Sequence, residues 1–360
     1  MMLASPQTHF HRSATSDATE PPEAHGIARD AVKLLVAQPS GVSHTRFANI
    51  GDYLQAGDLL VVNNSATLPA AVDGRRAGHP ITVHFSMACS AKIWVVELRP
   101  AMHATGYLRD IRPDERIDLP GGGALITRLP YPEPGIDGAR LWTARVAVEG
   151  PEDSVVSYLA RHGRPIRYAY VPQPWSLDYY QTVFARHPGS AEMPSAARPF
   201  SADLVAALVA DGVVIAPITL HAGVSSAEPG EPPVPESFNV PAATARLVNL
   251  THATGARVIA VGTTVTRALE SAADTDGAVR AAGGWTDLVL RCDRPARVID
   301  GLITGWHDVD ASHVSLLEAV AGPALVATAY QEAVDRGYLW HEFGDSALLL
   351  PARCAGRATI

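Results

Sequence analysis

Residues 73–149 ask for a different kind of structure from everything around them. Short strand-like runs at 81–85, 92–98, 116–119, 124–129 and 141–148 are crowded into this one stretch. Gly121-Gly-Gly123 and the proline- and glycine-rich segment 132–138 supply turns between them. Strands this short and this close together suggest a small β-barrel or sandwich module. Both flanks read otherwise, which makes the module an insertion.

The flanks alternate strand and helix. Apolar runs at 32–37 and 59–62 read as strands, with a helical turn over 50–58 between them; the second closes on Asn63, Asn64 and Ser65. After residue 150, helical patterns at 152–162, 201–211, 241–254, 265–273, 312–321 and 323–336 interleave with strand patterns at 213–220, 257–261, 287–291 and 298–304. Such alternation argues for a layered α/β domain. The fold expected is therefore a layered α/β domain with an inserted small β-barrel. The α/β domain would be discontinuous, 27–72 and 150–351, and the barrel domain would take 73–149. Residues 1–26 are polar, with His9, His11 and His25 and no apolar stretch; they are expected to be a disordered extension. Residues 224–237, rich in Pro, Glu and Ser, are expected to be a mobile surface loop.

Charge and cysteine usage exclude several functions. The net charge is −8, so no global basic field draws in nucleic acid, and any RNA contact must come from a local patch. Arg75-Arg76 and Arg161-His-Gly-Arg-Pro-Ile-Arg167 are the candidates. Solvated surface is the reading that leads for both, in a chain whose only lysines are Lys33 and Lys92. Cys89, Cys292 and Cys354 are far apart and show neither zinc nor disulfide spacing. No apolar run approaches the roughly 18 residues of a membrane span, and no signal-peptide pattern opens the chain. The expected setting is cytoplasmic, without a membrane partner.

The richest chemistry lies at predicted strand ends in the C-terminal half. Val258-Ile-Ala-Val261 breaks at Gly262, Thr263 and Thr264 follow, and a helical segment carries Arg267 and Glu270. Glycine allows close backbone approach, and free amides at a helix start attract anionic or hydroxyl groups. Arg267 and Glu270 share a helix face. The same pattern is also that of an ordinary strand-to-helix turn capped by Thr. Thr219-Leu-His-Ala-Gly223 puts His221 at another strand end, where α/β folds place ligands. Gly284-Trp-Thr-Asp287 offers Trp285 for stacking, and Asp300-Gly-Leu-Ile-Thr-Gly-Trp-His307 offers Asp300, Thr304 and His307. Polar groups converging from several strand ends favour a small-molecule enzyme over a pure binding module.

Taken in order, these blocks resemble the S-adenosylmethionine:tRNA ribosyltransferase-isomerases of queuosine biosynthesis. The matching pieces are Asp52 to Asn63, Tyr180-Gln-Thr-Val-Phe-Ala-Arg186, Thr219 to Gly223, Val258 to Ala273, Gly284 to Asp287, Val298 to Thr304 and Tyr338 to Leu350. The resemblance implies an α/β domain with an inserted barrel. It also implies an S-adenosylmethionine-dependent transferase and isomerase that moves the ribosyl unit of S-adenosyl-L-methionine onto a 7-deazaguanine in tRNA. S-adenosylmethionine serves there as substrate, and no metal is expected. For that reaction the candidate bases are His221, Glu270, Asp300 and His307. Glu270, Asp300, Trp285 and Trp306 are candidates to face the sulfonium. Thr263, Thr264 and Arg267 are candidates to hold the methionine carboxylate, and Gly262 and Thr304 are further candidates to bind the donor.

The chain departs from the family pattern at several loops. Asn-Asp-Thr-Arg-Val becomes Asn63-Asn64-Ser65-Ala66-Thr67, and Pro-Thr-Ala-Gly-Leu-His-Phe-Thr becomes Pro194 to Ser201. Gly-Leu-Gly-Thr-Phe becomes Val224-Ser-Ser-Ala227, and Asn-Phe-His-Leu-Pro-Lys-Ser becomes Gly305 to Ala311. Lost basic residues weaken the expectation of tRNA phosphate contacts. They open two alternatives, a transferase or lyase acting on a small-molecule acceptor and a non-catalytic ligand-binding paralogue.

Overall fold

The computed structural model describes residues 6–101, 106–132, 139–148, 154–224, 233–308 and 312–352. A hairpin of β1 (Lys33–Gln38) and β2 (Gly41–Arg46) opens the sheet, followed by the wholly buried β3 (Leu59–Asn63) and the short β4 (Ser65–Thr67). Six strands follow: β5 (Ala71–Arg76), β6 (His79–Ala88), β7 (Ile93–Pro100), β8 (Arg116–Asp118), β9 (Ala124–Tyr131) and β10 (Leu141–Ala147). They close into a barrel in the order β10-β7-β6-β5-β8-β9. Val83, Phe85, Val96, Leu98, Ile117, Leu125 and Ala144 fill it. Tyr158 and Leu159 of α1 (Val155–His162) join the same core. Ser154 caps that helix, its Oγ accepting from Ser157 N at 3.0 Å.

The remaining elements are β11 (His187–Ser190), α2 (Ala202–Ala210), β12 (Val214–Leu220), β13 (Glu236–Val240), α3 (Ala242–Ala253), β14 (Val258–Val261) and α4 (Thr263–Ser271). β15 (Ala282–Thr286), β16 (Gly301–Gly305), α5 (Ser312–Ala321), α6 (Pro323–Asp335) and β17 (Ser346–Leu349) complete the chain. Nine strands form one sheet in the order β15-β13-β12-β3-β14-β16-β17-β1-β2. β12, β3, β14 and β16 run parallel, and β17 returns antiparallel beside β16. The central strands read as unbroken apolar runs because both sheet faces are covered. One face packs on Val248, Val265, Leu269, Leu317 and Val326, the other on Phe47, Ile50, Phe200 and Leu208.

Parallel direction sorts the chain's polar groups between two edges. Asn63, Leu220, Val261 and Gly305 end their strands at one edge, where β17 begins. Asp58, Val258 and Asp300 stand at the other.

Three expectations need correction. Residues 287–291 are not a strand. Leu288 and Leu290 are buried with a strand-like alternation, but the carbonyls of Thr286 and Leu288 accept from the Arg267 guanidinium at 3.0 and 3.2 Å. The strand is β15, just upstream. Residues 6–26 are not a disordered extension. Thr8 N donates to Glu318 Oε1 at 2.6 Å, Phe10 packs 4.6 Å from the Tyr330 ring, and Trp340 N donates to Ser16 O at 2.8 Å. An aromatic pocket of Trp306, Tyr330 and Trp340 gives this polar segment something to bury against. Finally, Glu236 and Ser237, expected in a mobile loop, open β13. Most of that expected loop, 225–232, lies outside the described residues, as do residues 1–5.

Candidate functional site

A cleft with a cavity volume of about 220 Å³ lies at the edge where the parallel strands end. Its walls come from those strand ends, from the barrel and from the loop before β17. Gly262 has φ 99°, a conformation that L side chains rarely adopt. It turns the chain from β14 straight into α4, so that Gly262, Thr263 and Thr264 line the cleft at the helix start. Asn63 Nδ2 donates to Leu220 O at 2.8 Å and to Thr264 Oγ1 at 3.3 Å, tying two strand ends to the start of α4.

One wall carries two carboxylates, Glu192 and Glu342. Glu342 Oε1 is closed off from solvent and has no hydrogen-bond partner. Burial pushes the Glu342 carboxyl up to about 8, and the charge of Glu192 adds to the shift while Arg198 opposes it. Trp306 Nε1 and the Tyr168 hydroxyl also line the cleft, buried and unpartnered. Each such group costs roughly 1–3 kcal/mol. Their concentration in one cavity is what a ligand site looks like before its ligand arrives.

A histidine pair lines the same cleft. The rings of His307 and His313 stack with centroids 4.4 Å apart, and His307 Nε2 lies 3.2 Å from Thr304 Oγ1. Burial holds His307 well below its usual value and brings His313 down to about 4. Both imidazoles are therefore neutral at pH 7 and able to accept a proton. His341, at φ 71°, stacks on Tyr170 at 4.1 Å and meets Asp17 at 3.0 Å.

Of the residues singled out in the sequence, the cleft collects Gly262, Thr263, Thr264, Arg267, Thr304, Trp306 and His307. Arg267 is already committed: it pairs with Glu236 as well as with the two carbonyls named above. The other four lie elsewhere. Glu270 is a turn beyond Arg267 on a helix that runs away from the cleft, and its Oε1 accepts from Arg297 N and Val298 N at 2.8 Å each. Asp300 precedes β16 at the opposite edge and accepts from Val258 N at 2.9 Å. Trp285 is 45% exposed on the outermost strand. His221 sits behind the cleft wall, its Nδ1 2.7 Å from Ser65 Oγ. Burial lowers its pKa, as does the nearby His187.

Glu192, His313, Glu342 and the barrel's Arg140 are lining residues that sequence reasoning missed. Glu342 lies in the Tyr338–Leu350 block. Asp345 in the same block caps a turn, accepting from Lys33 N at 2.7 Å and Leu339 N at 2.8 Å.

Comparison with known proteins bears on the cleft's chemistry. A model of the family described as queuosine biosynthesis protein matches residues 7–349. The S-adenosylmethionine:tRNA ribosyltransferase-isomerase of Moorella thermoacetica is 34% identical over 337 residues, covering 89% of this chain and 94% of that protein. The protein of the same name from Acaryochloris marina is 32% identical over 338 residues, covering 90% and 89%. The crystal structure of an S-adenosylmethionine tRNA ribosyltransferase from Thermotoga maritima is similar with a TM-score of 0.52 and 25% identity, covering 95% of this chain and 99% of that one.

Proposed function

The chain belongs to the family of queuosine biosynthesis proteins, and on that premise we propose that it is an S-adenosylmethionine:tRNA ribosyltransferase-isomerase. It transfers and isomerises the ribosyl unit of S-adenosylmethionine onto a 7-deazaguanine in tRNA. The observation that carries this reading is the cleft's combination of the under-satisfied Glu342 carboxyl with a neutral histidine pair.

The donor supplies an activated ribosyl group whose sulfonium acidifies the adjacent C5′ hydrogens. Glu342 and Glu192 fit a ligand with positive charge, because a cation entering between them removes the cost of ionising Glu342. His307, backed by His313 and held by Thr304, fits the base that takes the C5′ proton. The start of α4, with Gly262, Thr263 and Thr264, fits ribose hydroxyls. No comparable support exists for a small-molecule acceptor. Of the departures from the family pattern, residues 63–67 stand outside the cleft lining, while Pro194 to Ala196 and Gly305 to His307 belong to it. A tRNA substrate also sets the reaction in the cytoplasm; among the described residues no helix is long and apolar enough to cross a membrane.

Calorimetry with S-adenosylmethionine, then incubation with tRNA carrying the aminomethyl-deazaguanine precursor, tests the reading. Mass spectrometry should find adenine and methionine released only when that tRNA is present, with a matching gain in tRNA mass. Release without tRNA, or no donor binding at all, would overturn it.

A further inference from the structure

Two of the cleft's unpartnered groups are hydrogen-bond donors, the Trp306 indole N–H and the Tyr168 hydroxyl. An indole N–H can only donate, and a buried one left unpaired is costly. The rest of the Trp306 ring is already in use. Tyr330 and Tyr338 cross it steeply, at 87° and 72°, with centroids 5.0 and 5.7 Å away, and Trp340 lies 5.5 Å from it. Packing therefore accounts for the indole body and not for its N–H.

Tyr168 also belongs to a column of rings. It stacks on Tyr170 at 5.9 Å, 18° from parallel, and Tyr170 stacks in turn on His341 at 4.1 Å, 12° from parallel. All three residues line the cleft. His341 holds its place in the column at φ 71°, a backbone conformation uncommon outside glycine. Strain of this kind collects at ligand sites. Flat rings in near-parallel array, with two idle donors in the same cavity, are suited to a planar heterocycle that carries acceptors in its own plane.

We propose that the cleft holds the adenine of the donor at this place, its ring continuing the column of Tyr168, Tyr170 and His341 and its ring nitrogens accepting from Trp306 Nε1 and the Tyr168 hydroxyl. This rests on the reading of the cleft as the S-adenosylmethionine site. Two heterocycles take part in that reaction, and their edges differ. Adenine offers in-plane acceptors at N1, N3 and N7. A 7-deazaguanine has carbon in place of N7 and turns N–H groups outward at N1 and N2, so two protein donors meet fewer acceptors there. Adenine also enters as part of a small molecule, whereas the deazaguanine stays attached to tRNA. The assignment leaves the start of α4 to the ribose hydroxyls and Glu342 to the sulfonium.

Calorimetry of the full chain with S-adenosylmethionine and its 1-deaza, 3-deaza and 7-deaza analogues tests the proposal. Trp306→Phe and Tyr168→Phe each remove one donor and keep an aromatic ring, and each should weaken S-adenosylmethionine about threefold to tenfold. Tyr168→Leu removes the stacked ring as well and should weaken it about tenfold to a hundredfold. An analogue that lacks the nitrogen facing a donor should bind the wild type more weakly and be indifferent to loss of that donor. Affinity for tRNA carrying the aminomethyl-deazaguanine precursor should be unchanged in all three variants. Unliganded Tyr168→Phe should unfold at no lower temperature than wild type, because an unpartnered hydroxyl contributes nothing to the fold; this variant carries the test should Trp306→Phe fail to fold. Full donor affinity in the Phe variants, or equal affinity for all three analogues and S-adenosylmethionine, overturns the adenine assignment. Weakened tRNA binding with full donor affinity puts the acceptor's heterocycle here instead and overturns it too. A lowered Tm in Tyr168→Phe gives the hydroxyl a structural task and overturns its part in recognition. If the wild type does not bind S-adenosylmethionine, the underlying reading of the cleft falls, and this proposal with it.

Discussion

The two edges of the central sheet treat buried charge in opposite ways. At the edge where the parallel strands begin, carboxylates are satisfied. Asp58 accepts from Gln55 N at 2.8 Å and from the backbone and guanidinium of Arg257. Asp300 accepts from Val258 N, and Glu270 holds the amides of Arg297 and Val298. At the edge where the strands end, Glu342 keeps an unpartnered oxygen, Trp306 an unpartnered N–H, and two histidines are buried neutral. Satisfied charge builds the fold. Unsatisfied charge is a strain that folding alone does not explain, and it marks where a ligand is to complete the set.

Substitutions at each edge can break this contrast. The largest effect is expected at Asp58, a buried carboxylate whose loss leaves the half-buried Arg257 guanidinium and the Gln55 and Arg257 amides without their acceptor. Asp58→Ala should cost about 3–5 kcal/mol of stability in denaturant titration, with kcat unchanged in the fraction that folds. A folded Asp58→Ala with collapsed kcat would erase the distinction. Glu342→Gln should do the reverse, lowering kcat/KM about a hundredfold, roughly 2.7 kcal/mol, without loss of stability. Its pH dependence follows from the raised carboxyl. The stabilising contribution of protonated Glu342 is complete below its ordinary value of 4.5 and fades as pH rises through about 8. Wild type should therefore lose Tm relative to Glu342→Gln between these values, a trend that thermal scans across pH can confirm or reverse. The smallest effect is expected at Glu270. Glu270→Ala leaves two amides unpaired and should cost about 1–2 kcal/mol, with steady-state kinetics unchanged; a kinetic defect would return Glu270 to the site.

Much of the architecture was legible in the residues. Val258–Val261 and the run at 59–62 are unbroken apolar segments closed by glycine or asparagine, which is how a strand covered on both faces reads. An inserted all-β module announced itself by the change in character at 73–149, and its closure into a barrel is seen in the strand pairing. β15 stayed hidden because Gly283 and Gly284 erase the alternation that reveals a strand. The order of residues 6–26 was hidden because it depends on aromatic partners some three hundred positions away. At the site, Gly262, Thr263, Thr264, Thr304 and His307 were legible because strand ends followed by glycine and hydroxyls have a local signature. Asp300 and Glu270 misled because motif spacing does not say toward which edge a strand or helix points. Glu192 and Glu342 were illegible for a deeper reason: what singles out Glu342 is a missing partner, and absence of a neighbour is a three-dimensional fact.

Proton release on donor binding tests the central contrast most directly. Calorimetric titrations with S-adenosylmethionine at pH 7, in buffers of different ionisation enthalpy, should show about one proton released per site as Glu342 ionises against the cation. The release should vanish in Glu342→Gln. Binding to the wild type with no proton released, and with full affinity kept by Glu342→Gln, would contradict the account.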